Sequence, residues 1–183
     1  MKNKIIFLLV LVMCVCTAAS SCGADVSALE NLCFAMEDFD IARAAEYVDD
    51  TEGYFSEAKA LAAALGAEKS EIARDIYANM SFTDFTESDG VCTLTVKYID
   101  FERLKRDANA KINAGEAATD VLGEIVESKG FAAQYVKTAE NVTVTLNKSD
   151  SGALVPIGYA SVNGEFTKML GLDTFLGWFI LQM

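Results

Sequence analysis

Residues 91–101 read VCTLTVKYIDF, and this stretch decides the fold because its apolar residues recur at every second position. Such alternation is typical of a strand with one buried face, whereas the chain before it has the spacing of amphipathic helices. Asp89-Gly90 directly precedes the strand and is a strong hairpin signal. We therefore expect residues 82–87 to pair with it as the first strand of a hairpin.

Four helices are expected before this hairpin. Ser27 and Glu30 match a capping box at the start of the first, and Asp40 is expected to cap the second. Thr51 is expected to start the third helix and Gly66 to end it, before a fourth over residues 68–80. The apolar positions that carry these helices include Leu29, Leu32, Cys33, Met36, Ile41, Ala44, Phe55, Ala58, Leu65, Ile72, Ile76 and Met80.

A long helical region is expected directly after the hairpin. Asp100 is its predicted cap, and Gly115 and Gly130 are expected to interrupt it. Alternating apolar residues over 142–146 then predict another strand.

Residues 150–152, Asp-Ser-Gly, predict a turn into a third strand over 154–162. Pro156 indicates that this strand lies at the edge of the sheet, because proline cannot donate a ladder hydrogen bond. Asn163 is expected to cap a short helix. The apolar tail over 173–183 is too short to span a membrane, so we expect it to pack on the domain or, alternatively, on a partner complex.

Two segments resemble a known class of proteins. DIARAAEYV at 40–48 and TLTVKYIDF at 93–101 are similar to small bacterial lipoproteins of unknown function with a nuclear-transport-factor-2-like, cystatin-like domain. The resemblance implies an α+β fold in which N-terminal helices pack on a curved antiparallel sheet, a cone-like, cystatin-like roll. The helical insertion between Asp100 and Ala139 is longer than that fold needs.

The N-terminus carries the parts of a secretion signal. Two lysines precede an apolar run that ends at Thr17-Ala18-Ala19-Ser20-Ser21-Cys22. The last four residues resemble a lipobox, which implies that residues 1–21 are a signal peptide and that Cys22 is lipidated. Two alternatives stay open: ordinary cleavage after Ser20, which would release a secreted protein, and a permanent membrane helix, for which the run is short.

The charge balance limits the partners. Without residues 1–21 the chain, residues 22–183, carries 13 basic and 27 acidic residues and is expected to form one extracytoplasmic domain. This excess of acid repels nucleic acids and anionic lipid surfaces, so nucleic acid is not an expected partner. We expect attachment to the outer face of the cell membrane through the acyl chains on Cys22.

Few residues are available for catalysis or metal binding. The chain has no histidine, which removes histidine-based triads and the usual zinc ligands, and no cofactor or metal is predicted. Cys33 and Cys92 fall on apolar faces and are expected to be buried free thiols, with a disulfide as the alternative.

Three local patterns have ordinary structural explanations. Ser56-Glu57-Ala58-Lys59 matches the Ser-x-x-Lys motif of penicillin-binding enzymes, but the companion motifs are missing, so we interpret it as an exposed helix face. The acidic group at 84–89 does not fit the ligand spacing of a calcium loop, and we interpret it as a hairpin turn. We interpret the acidic group at 37–40 as the solvated end of a helix with a cap.

The resembled class includes enzymes that use a carboxylate with tyrosines inside the cone. Candidates for such a site are Tyr98, Asp100, Tyr135 and Tyr159, although nothing in the sequence places them together. We therefore expect a non-enzymatic module that binds an envelope protein or a small apolar ligand. An isomerase- or hydrolase-like enzyme is the alternative.

Overall fold

The computed structural model describes residues 25–158 and 160–182. Cys22, the predicted signal peptide and Tyr159 therefore lie outside the described residues. The chain folds as an α+β domain, which confirms the predicted class. The helices are α1 Ser27–Glu37, α2 Ile41–Ala44, α3 Tyr54–Ala64, α4 Gly66–Tyr77, α5 Phe101–Ile112, α6 Ala118–Glu127, α7 Phe131–Tyr135, α8 Ala160–Leu170 and α9 Gly177–Leu181, with a 3₁₀ turn at Ala45–Tyr47 and a π-helical turn at Leu172–Leu176.

Four antiparallel strands form the sheet in the order β1-β2-β3-β4. The predicted hairpin is confirmed, because Asp89 and Gly90 have φ angles of 53° and 79°, as a tight two-residue turn requires. The insertion between the second and third strands consists of α5, α6 and α7. The sheet is not curled, so the expected cone is not part of the described fold. The strands are β1 Ser81–Ser88, β2 Val91–Ile99, β3 Val136–Lys148 and β4 Leu154–Pro156.

Helix α1 begins at Ser27 as predicted, but neither Ser27 nor Thr51 caps its helix. Ser27 donates its backbone N–H to the Asp25 carboxylate at 3.0 Å, so it lies inside α1 and does not cap it. Asp50, not Thr51, binds the first turn of α3 by accepting from the N–H of Phe55 at 2.8 Å. In both places a carboxylate precedes the hydroxyl residue and accepts the exposed donors of the first turn.

Two other predicted caps are confirmed. Asp40 accepts from the N–H of Arg43 at 3.0 Å, and Asp100 accepts from the N–H of Arg103 at 3.1 Å. Gly66 has a φ of 74° and separates α3 from α4, as expected.

The predicted third strand is too long. It ends at Pro156, and α8 already begins at Ala160. Beyond Pro156 the chain passes Asp49, whose carbonyl accepts from the N–H of Gly158 at 2.9 Å, and a Cβ at Gly158 would overlap the Val48 side chain. Ile157 still donates its N–H to the carbonyl of Thr145 on β3 at 3.1 Å, so the backbone changes partner from β3 to residues 48–49 between Ile157 and Gly158.

Asn163 is not a helix cap. It lies inside α8 at a kink and is buried, with 3% of its surface exposed. Its side chain accepts from the N–H of Thr145 at 2.7 Å and donates to the carbonyls of Thr145 at 3.0 Å and Ile157 at 2.7 Å. Asn163 therefore connects α8 to β3 and to the end of β4.

The apolar tail packs on the domain, as predicted. Phe175, Leu176 and Phe179 are fully buried, whereas Leu181 is 82% exposed. The Phe175 ring lies 5.2 Å from the Phe101 ring, which joins the tail to α5. Among the described helices, none combines the length and the apolar character needed to cross a bilayer.

Candidate functional site

A cleft of about 250 Å³ lies where the end of β2 and the start of α5 face α8. One wall is the continuous segment 98–102, Tyr-Ile-Asp-Phe-Glu. The opposite wall contains Glu165, Lys168 and Met169 from α8, with Thr174 from the π-helical turn. The cleft therefore brings together two parts of the chain that are more than 60 residues apart.

The first wall is built by the change from strand to helix within VCTLTVKYIDF. Ile99 ends β2 opposite Val136, and the next N–H, that of Asp100, donates to the carbonyl of Tyr135 at 2.8 Å. The Asp100 side chain then caps α5. As a result Phe101 faces the core and is only 4% exposed, while polar groups remain at the rim.

Each oxygen of the Asp100 carboxylate has a partner. Its carboxylate forms an ion pair with Lys137 on β3, in addition to the bond from Arg103 N–H. Partial burial acts to raise the pKa of Asp100, but the hydrogen bonds from Lys137 and Arg103 outweigh burial and lower the pKa below its ordinary value. A carboxylate held in its ionised form is a weak general base at neutral pH.

The second wall approaches the first closely at Gly171. This residue follows α8 with a φ of 65°, and a Cβ placed on it would overlap the Phe101 ring. Met169, 7% exposed, and Ile99, 1% exposed, complete an apolar floor around Phe101. Glycine at position 171 thus lets the end of α8 contact the start of α5.

The charges at the rim differ in how they are compensated. Asp100 forms an ion pair with Lys137, and the Glu102 carboxylate forms one with Lys105, with 3.7 Å between Oε1 and Nζ. Within the described part of the chain, no ion pair compensates Glu165 or Lys168. One carboxylate and one ammonium of the cleft are therefore available to a ligand.

A shallow depression adjoins the cleft and shares Thr174 with it. It is lined by Lys105, Gly177, Trp178 and Leu181 in addition to Thr174. The indole N–H of Trp178 donates to the Asn109 side chain at 3.1 Å, which holds the ring against α5.

Of the three described candidates for a carboxylate–tyrosine site, the structure brings two together. Tyr98 and Asp100 line the cleft, whereas Tyr135 does not. The Tyr135 hydroxyl donates to Asp107 at 3.2 Å, and burial together with the Asp107 charge raises the pKa of Tyr135. Tyr159 lies outside the described residues.

The Ser-x-x-Lys segment shows no nucleophile geometry. The Ser56 hydroxyl donates to the Asp50 carboxylate at 2.6 Å, and Lys59 is exposed. Ser56 therefore belongs to the hydrogen-bonded first turn of α3.

The acidic segments have structural roles. Glu87 accepts from the N–H of Gly90 at 2.8 Å within the hairpin, and Glu37 accepts from the N–H of Phe82 at 3.1 Å. Partial burial raises the pKa of Glu37. Across residues 25–158 and 160–182, no three acidic, cysteine or histidine side chains are grouped closely enough to hold a metal ion.

Cys33 and Cys92 are free and buried, which confirms the prediction of unpaired thiols. Burial raises the pKa of both, so neither is a reactive thiolate at neutral pH.

Sequence reasoning did not identify Glu165, Lys168 or Met169 as site residues. On the sequence they resemble any amphipathic helix, with charges on one side and an apolar residue on the other. Only the packing of α8 against the β2–α5 junction makes them part of a cleft.

No protein-family model, no curated protein and no solved structure matches this chain.

Proposed function

We propose that the protein is a lipid-anchored extracytoplasmic binding module, attached to the outer face of the cell membrane through Cys22. The observation that carries the binding role is the cleft between segment 98–102 and α8, which has an apolar floor and a polar rim. Ligand sites commonly combine a mostly apolar concave surface with a few polar groups. A relation to the cystatin-like lipoproteins belongs to the same proposal, supported by the segments at 40–48 and 93–101.

The anchor is supported by residues 1–22, in which a basic start, an apolar run and Ala-Ser-Ser-Cys follow one another. Radiolabelled palmitate supplied to cells should label the protein, and Cys22→Ser should abolish the label. Cys16→Ser is the matched control and should leave the label in place. Full labelling of the Cys22→Ser variant would exclude this anchor.

Binding explains the cleft better than catalysis does. Asp100, the carboxylate that lines it, is engaged by Lys137 and by the N–H of Arg103, and its pKa is lowered. A general base is most efficient when its pKa lies near the working pH and one of its lone pairs is directed at the substrate. The contacts of Asp100 are those of a residue that caps helix α5.

A second candidate is an isomerase- or hydrolase-like enzyme. It is favoured by one observation, that Tyr98 and Asp100 line the same cleft. If the cleft is catalytic, Tyr98→Phe should abolish turnover of a substrate while leaving its binding intact. If it only binds, the same substitution should change affinity alone.

Photo-crosslinking locates the binding site directly. The purified full chain in detergent is exposed to a small alkyl diazirine and irradiated, and the labelled peptides are mapped by mass spectrometry. We expect labels on the peptides that contain Phe101 and Met169, because these side chains form the apolar floor. Labels confined to other peptides, or none, would show that the cleft is not the binding site.

A further inference from the structure

Helix α8 contributes one acidic and one basic side chain to the cleft, and neither forms an ion pair with a described residue. Glu165 and Lys168 are three residues apart on α8, so they lie on the same face, and both line the cleft. The spacing would permit an ion pair, but none joins them, and none joins either of them to another described residue. Both side chains are exposed.

The rest of the cleft does not supply the missing partners. Asp100 and Glu102 are paired with Lys137 and Lys105, so the local acidity is compensated on that wall. The floor of Ile99, Phe101 and Met169 is apolar. Apart from the side chains of Tyr98 and Thr174, an occupant would therefore meet one uncompensated carboxylate, one uncompensated ammonium and an apolar surface.

The charges of Glu165 and Lys168 determine which kind of ligand the cleft would bind most favourably. A neutral ligand that covered Glu165 and Lys168 would remove water from two charges without replacing it, which is unfavourable. A ligand with a single charge would satisfy one of them only. A zwitterion offers an ammonium to Glu165 and a carboxylate to Lys168, and each contact is a charge-assisted hydrogen bond.

The size of the cleft limits the ligand further. Its volume of about 250 Å³ lies below the roughly 300 Å³ at which sites for drug-sized ligands begin. Together with the apolar floor, this size suits a compact molecule with one apolar group.

We propose that the cleft binds a small zwitterion with an apolar group, of the class of apolar amino acids, through Glu165, Lys168 and the floor around Phe101. The proposal rests on the function proposed above for the same cleft and names its ligand class. Glu165 receives the ammonium, Lys168 receives the carboxylate, and the apolar group contacts the floor.

The test uses four diazirine probes that share one side chain and differ in which end groups are charged. They are an amino acid whose apolar side chain carries the diazirine, its N-acetyl derivative, its carboxamide, and the derivative blocked at both ends. Each is irradiated with the purified full chain in detergent, and labelling of the peptides containing Phe101 and Met169 is quantified. We expect the zwitterion to label them about tenfold more strongly than any blocked probe, since a charge-assisted hydrogen bond contributes at least that factor.

Two variants assign the charges. Glu165→Gln should reduce labelling by the zwitterion to the level of the N-acetyl probe, and Lys168→Gln should reduce it to the level of the carboxamide. Glu127→Gln and Lys129→Gln remove exposed charges that do not line the cleft and should change nothing.

The outcomes separate the two proposals. Equal labelling of the cleft by the zwitterion and the fully blocked probe would overturn the zwitterion proposal and leave the cleft as a binding site. No labelling of the cleft by any of the four probes or by the simple alkyl diazirine would overturn both. Unchanged labelling in both charge variants would also overturn the zwitterion proposal.

Discussion

At the scale of single residues, Gly171 sets the contact between α8 and α5. Its φ of 65° is in the left-handed region, and a side chain there would overlap the Phe101 ring. Gly66 has a similar φ of 74°, but nothing lies within 4 Å of its Cβ position. Alanine at position 66 would therefore cause backbone strain alone, whereas alanine at position 171 would cause backbone strain and a steric overlap.

Gly171→Ala should destabilise the domain by about 3 kcal/mol or more, because the left-handed conformation and the overpacking both act against it. Gly66→Ala should lower the free energy of unfolding by only about 1 kcal/mol, from the backbone conformation alone. Urea unfolding of both variants measures the difference. Equal losses would mean that Phe101 does not restrict position 171.

Asp100 gives the domain a specific pH dependence. Because the folded state lowers its pKa below the ordinary value of 3.8, the ionised group stabilises the fold at pH values above 3.8. That contribution is lost as the pH falls through the lowered folded value. Asp100→Ala should therefore cost about 1–2 kcal/mol at neutral pH, from the helix cap and the ion pair, and progressively less below pH 3.8.

The measurement is urea unfolding at neutral pH and at several values below 3.8. Lys137→Gln is the control, since it removes the ion pair and keeps the cap, and its effect at neutral pH should be smaller. A pH-independent difference between the wild type and Asp100→Ala would contradict the assigned role.

Local sequence predicted some caps and not others for a physical reason. Asp40 and Asp100 bind N–H groups three residues ahead, so the interaction depends only on nearby residues. At Ser27 the same rule failed because Asp25, two residues earlier, accepts the N–H of Ser27 itself. Two adjacent acceptors compete, and the sequence does not show which one is used.

At the scale of elements, the tail joins the core through the π-helical turn and α9. The Phe175 ring lies near four other rings, those of Tyr77, Phe101, Trp178 and Phe179. It is fully buried, whereas Leu181 at the end of α9 is 82% exposed. The tail is thus part of the fold over most of its length.

Phe175→Ala should reduce the free energy of unfolding by about 3–5 kcal/mol, because it removes a buried ring and leaves a cavity. Leu181→Ala should change it by less than about 0.5 kcal/mol. Deleting residues 173–183 should abolish cooperative thermal unfolding. A deletion variant that still unfolds cooperatively would contradict this role in the core and would support the alternative that the tail docks on a partner.

The boundary between β4 and α8 shows where element prediction was wrong. The turn at 150–152 predicted a following strand over 154–162, yet the strand ends at Pro156. Asn163, expected as a cap, instead bonds to Thr145 and Ile157 from inside α8. Thr145 lies 18 residues and Ile157 six residues before Asn163 in the sequence. Only the folded chain therefore shows the interaction.

At the scale of the whole molecule, the number of reactive thiols reports how the N-terminus is processed. The chain has five cysteines, of which Cys33 and Cys92 are buried and free in the fold. Their raised pKa and burial should prevent reaction with a thiol reagent in the native protein. Unfolding should expose both.

The protein purified from membranes should therefore show two thiols in denaturant if Cys22 carries a lipid, since Cys14 and Cys16 leave with the signal peptide. Cleavage after Ser20 would give three, and an uncleaved chain would give five. Titration with a chromogenic thiol reagent, with and without denaturant, distinguishes these forms.

The sequence by itself determined the α+β class, the hairpin at Asp89-Gly90, the helical insertion and the burial of both cysteines. These features follow from the apolar period, from turn geometry and from burial, which neighbouring residues specify. Only the tertiary structure decided that the sheet is uncurled and that α8 packs against the β2–α5 junction. The cleft depends on that packing, because Phe101 and Gly171 are distant in sequence and their contact forms only when the chain is folded.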